Sequence, residues 1–136
     1  MVPLLRATAT ALSLVIFTTL LTSCGGKDTH AKIMEDNLVL MEQVATLMEG
    51  VEDEESAKAA AKKLEALSGK FEEIAERNEA IGKPDEETEK ALKEEYGDRV
   101  GVAIGKITTG LRNPAAGEPS LQRALQGLGN ITKRLR

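Results

Sequence analysis

The sequence predicts a small all-α protein, an antiparallel bundle of three to four helices behind an apolar leader and a short tether. Three observations predict it. Apolar residues beyond the leader recur at spacings of three and four, and no stretch alternates with period two under β-branched enrichment. Helix-stopping and helix-starting residues recur at Asp28-Thr29, Gly50, Gly82-Lys83-Pro84 and Asn113-Pro114. The chain of 136 residues has one cysteine, so a single aliphatic core must supply the stability.

The leader comes first. Arg6 is its only charged side chain, and Ala7 to Leu21 carry none. Leu12, Leu14, Val15, Ile16, Phe17, Leu20 and Leu21 form its apolar centre, and the small residues Thr22 and Ser23 precede Cys24. This is the three-part layout of a secretory signal. The alternative is a permanent membrane span. The uncharged run from Ala7 to Gly26 is twenty residues, about the minimum length. Thr8, Thr10, Ser13, Thr18, Thr19, Thr22 and Ser23 dilute it.

The ending, Leu21-Thr22-Ser23-Cys24, resembles the lipobox of bacterial lipoproteins. The resemblance covers residues 1–24 and no more. It implies that the Cys24 thiol is alkylated with diacylglycerol, that a dedicated peptidase cuts before Cys24, and that the new amine is often acylated. It further implies a cell-envelope location, with the lipid bilayer as partner through acylated Cys24. Where such bacteria have two membranes, an Asp after the Cys tends to retain the protein in the inner one. Gly25 stands there, so the resemblance favours the outer membrane.

Three segments follow: a cleaved leader at 1–23, a lipidated Cys and tether at 24–29, and a helical domain at 30–136. Without the leader, 113 residues remain, with 17 basic against 22 acidic side chains. A lipidated Cys24 leaves no thiol for a disulfide. Phe71 and Tyr96 are the only aromatics outside the leader, which argues against base-stacking platforms and nucleic-acid partners.

The first helix is expected from His30 to Glu49, capped by Asp28 or Thr29 and ended by Gly50. Ile33-Met34, Leu40-Met41 and Leu47-Met48 repeat every seven residues and give a wide apolar stripe. Ordinary core is the plain reading of its methionines, and an adaptable binding groove is the sharper one. Glu52-Asp53-Glu54-Glu55 reads as a helix start rather than a calcium loop, because it lacks a mid-loop Gly and alternating ligands.

A second helix from Glu54 to Ala80 has its seam at Ala57, Ala60, Leu64, Leu67, Phe71, Ile74, Asn78 and Ile81. Pro84 and the acids after it start a third helix, with apolar Leu92, Tyr96, Val100, Ala103, Ile104, Ile107 and Leu111. Gly97, Gly101 and Gly105 recur every four residues along it. Each costs about 1 kcal/mol relative to Ala, so the expectation is a smooth face for a neighbouring helix. A bend at Gly97 is the alternative. After the loop at Asn113 to Pro119, a last helix carries Leu121, Ala124, Leu125, Leu128, Ile131 and Leu135.

Charge divides along the chain. Residues 99–136 hold seven basic side chains against Glu118 alone, while 24–98 hold ten against 21 acids. The expectation is that the basic part packs on the acidic part. The alternative is a basic end that meets anionic lipid or another polyanion in the envelope.

No catalytic, cofactor-binding or metal-binding residue is proposed. The sole His, His30, stands beside the tether with no nucleophile or orienting group placed by sequence. Ligands for zinc are too few, and no Gly-rich loop follows a strand. Met34-Glu35-Asp36-Asn37-Leu38, opening a helical chain, resembles the start of the periplasmic four-helix cytochromes. Their haem ligands, a Met on the first helix and a His on the last, do not carry over, since the last helix here has no His and Cys-x-x-Cys-His is missing. The resemblance extends to a bundle scaffold only. The sequence therefore points to a non-enzymatic envelope lipoprotein with no cofactor, acting through contacts with a protein partner. A small-molecule or haem carrier using the Met stripe as its pocket is the alternative.

Overall fold

The computed structural model of the protein describes residues 27–135. Leu21, Thr22, Ser23 and Cys24 lie outside the described residues, and so does the leader. The fold is all-α, with helices α1 (His30–Glu49), α2 (Glu54–Ile81), α3 (Glu86–Leu111) and α4 (Pro119–Thr132). Short 3-10 turns at Pro114–Gly117 and Lys133–Leu135 flank α4.

Each helix begins on a side-chain cap. Thr29 Oγ1 accepts from the Lys32 amide at 3.1 Å, and Asp85 caps α3 through the Thr88 amide at 2.8 Å. Asp53 and Ser56 form a reciprocal capping box at the start of α2. The acids around Asp53 are thereby accounted for as a helix start, with Glu54 paired to Lys58. Glu118 accepts from the Ser120 and Leu121 amides, and Pro119 takes the first-turn position that needs no donor. Gly82, at φ 75°, ends α2.

The helices run up and down, so the start of α1, the end of α2, the start of α3 and the end of α4 share one end, here the tether end. They form a curved row in the order α3, α1, α2, α4. The α1 helix packs on α2 and α3, α2 packs on α4, and α3 and α4 do not pack on each other. One apolar cluster joins α1, α2 and α4 through Val44, Met48, Leu64, Phe71, Leu121 and Leu128. A second joins α1 to the first half of α3 through Leu38, Leu92 and Tyr96. The seam of α2 is buried as expected from Ala57 to Ile74.

The glycine face is a correction. Gly97, Gly101 and Gly105 are exposed, and nothing lies within 4 Å of where a methyl would stand at any of them. The helix also runs unbroken through Gly97. The close approach is at Gly110 instead, which is buried. A methyl there would lie 2.7 Å from both Cβ and the carbonyl oxygen of Met48 on α1. Gly110 is five residues past Gly105, about 140° further round the helix, and so faces α1 when the other three face outward.

Ion pairs tie the outer elements to the inner ones. Arg99 on α3 reaches Glu35 and Glu42 on α1, both at 3.0 Å, and Lys106 reaches Glu49 at 3.3 Å. Arg134 reaches Glu79 on α2 at 2.8 Å. Arg99, Lys106 and Arg134 of the basic C-terminal part thus lie on acids of α1 and α2. These pairs are part-exposed, so solvent screens them and each adds little to stability.

Candidate functional site

Because α3 leans on α1 and α4 on α2, the two outer helices face each other across a gap. That gap is a groove of about 550 Å³ at the boundary of the two apolar clusters, within the 300–1,000 Å³ of small-molecule sites. Met34, Met41 and Val44 of α1 and Phe71 of α2 form its floor. Val100, Ile104 and Ile107 line it from α3, and Leu125, Leu128 and Leu135 from α4 and the turn after it. Ile104 is 49% exposed, and so is the rim of the groove rather than its wall. The part of α3 that a closed bundle would bury against α4 is therefore open.

The polar groups of the groove are few: Asn37 and Thr132 are the polar residues among those lining it. The Oδ1 atom of Asn37 is buried with no hydrogen-bond partner, while its Nδ2 donates weakly to Met41 Sδ at 3.9 Å. A buried orphan acceptor costs about 1–3 kcal/mol, although Asn37 as a whole is only half-buried. Asn37 also borders a smaller cleft of about 100 Å³ at the tether end, shared with His30, Asn78 and Pro84.

That end is pinned. The Arg77 guanidinium donates to both Asp28 carboxylate oxygens, at 3.1 and 2.7 Å, and stands 2.9 Å from Asp36. The hydrogen bond from Arg77 holds the Asp28 carboxyl below its ordinary range, and the same bond raises Arg77 above its own. His30 Nε2 sits 3.0 Å from the Gly82 carbonyl oxygen, which accepts from it. The sole histidine is thus a strut between α1 and the α2–α3 turn. At the far end, Asn113 Nδ2 donates to the Val51 carbonyl at 2.9 Å and joins the two turns there.

Of the residues singled out in the sequence, Met34 and Met41 do meet in a groove, and Met48 is core against Gly110. The α4 wall and Asn37 carried no signal for it in sequence. Among the described residues no set of three or more His, Cys, Asp or Glu is placed to hold a metal ion. None of their helices is long and apolar enough to cross a membrane. Comparison with family models, with curated proteins and with solved structures finds no match to the chain.

Proposed function

We propose that the chain is an envelope lipoprotein, anchored through acylated Cys24, whose helical domain acts by binding rather than by catalysis. The observation that carries the anchor is Leu21-Thr22-Ser23-Cys24 at the close of an uncharged apolar run, followed by a five-residue tether. The groove between α3 and α4 supports binding as the activity. It is apolar and has two methionines on its floor, side chains that adapt to varied apolar ligands. Its shape favours a carried small molecule. Haem is the weaker form of that reading, since the groove offers thioethers and the lone imidazole is engaged with Gly82. A protein partner is the second reading, favoured by exposed Val102 and Leu111 on α3 beside the bare glycines.

Growth with a clickable fatty-acid analogue tests the anchor. The wild-type protein should label and fractionate with membranes. Cys24→Ser should not label and should keep its leader. A mutant that labels and matures like wild type would refute the anchor. A photoreactive residue at position 101 tests the second reading, which predicts one discrete crosslinked partner.

A further inference from the structure

We infer that the groove between α3 and α4 is a site for one acyl tail of an envelope lipid. Lining and position choose this occupant. Met34 and Val44 mark the extent of the floor on α1, ten residues or about 15 Å at 1.5 Å per residue, an apolar slot that a polymethylene chain can follow. The lining suits it: Met41, Phe71, Ile104 and Ile107 offer no charge, and the two methionines can follow a flexible chain.

Position supplies the source. This step rests on the lipoprotein reading above. Asp28 is held against Arg77 at the tether end, and Cys24 is four residues before it, a reach of at most about 14 Å. An acylated Cys24 therefore keeps that end of the domain at the bilayer. Met34, Asn37 and Leu135 line both the groove and the smaller cleft of that end, so the groove continues towards the membrane surface.

The test uses the full chain in cells fed a photoactivatable, clickable fatty acid that enters membrane lipids. After irradiation, adducts are mapped by mass spectrometry. Adducts are expected on peptides carrying Met41, Phe71 or Ile107, in wild type and in Cys24→Ser alike. Ile104→Glu places a charge on an exposed rim position, and Gly129→Phe fills the α4 side where nothing stands within 4 Å. Gly129→Phe should lower groove adducts by about tenfold or more by blocking the slot, a change worth about 1.4 kcal/mol or more, and Ile104→Glu should lower them less, since its charge stays solvated at the rim. Two results would overturn the inference. One is a wild-type protein labelled at Cys24 whose groove adducts do not exceed those on the opposite surface of α1 and α2, around Val39, Leu47 and Leu67. The other is groove adducts that vanish in Cys24→Ser, which would make the occupant the anchor's own chain. Groove adducts in a wild-type protein with no label on Cys24 would support the acyl site and refute the lipoprotein reading.

Discussion

Adding one methyl at Gly110 and one at Gly101 should move stability in opposite directions. At Gly101 the methyl meets nothing within 4 Å, so only helix propensity changes. Gly101→Ala should stabilise by up to about 1 kcal/mol. At Gly110 the methyl falls 2.7 Å from Met48 Cβ and from the Met48 carbonyl oxygen. Backbone cannot swing aside as a flexible side chain can, so α3 must shift off α1. Overpacking of this kind costs about 1–3 kcal/mol, offset in part by the same gain in propensity. The two variants should therefore differ by about 1–3 kcal/mol, several degrees in melting temperature for a domain near 100 residues. Urea unfolding of residues 27–136, followed by helical circular dichroism, reads both. A stabilising Gly110→Ala, or a destabilising Gly101→Ala, would show that the α1–α3 contact is placed wrongly.

Other outcomes follow from the same packing. Residues 27–136 should be soluble and mainly helical, and should melt cooperatively without metal; Leu64→Ala, at a fully buried position, should cost about 2–5 kcal/mol in the melt. Asn37→Leu removes the orphan acceptor and should stabilise the domain by about 1–3 kcal/mol; a loss of stability in urea would mean that Asn37 has a partner. Asp28 has a folded pKa below its usual 3.8, so the stability it contributes is present above that value and is lost as pH falls through the folded one. Asp28→Asn should accordingly lose less stability than wild type as pH falls below 3.8, in melts taken across the acid range; parallel curves would mean that the Arg77 contact does not persist.

The helices themselves are legible in the sequence because their signals are local. Thr29, Gly50, Asp53, Gly82 and Pro84 act within one turn of where they stand, and the helix bounds fall there. The seam from Ala57 to Ile74 is legible for a similar reason, since a 3-4 period marks one face whatever covers it. The order in which helices pack is not local. The period of α3 marks Ile104 as core, yet it is 49% exposed because α4 packs on α2 and leaves that flank open. The same non-local fact makes the groove, so the sequence points to Met34 and Met41 but not to Asn37 or the α4 wall. The glycines mislead because a four-residue repeat shows that they share a face, not that the face is occupied. Gly110 breaks the repeat and is the one in contact.

The most direct measurement of the central claim is the intact mass and N-terminal peptide of the protein recovered from membranes. The expected species begins at Cys24 and carries a diacylglyceryl group on its sulfur and, where the amine is also acylated, one further acyl group. A chain that still begins at Met1, or one whose first residue is Cys24 with a free thiol, would contradict the claim.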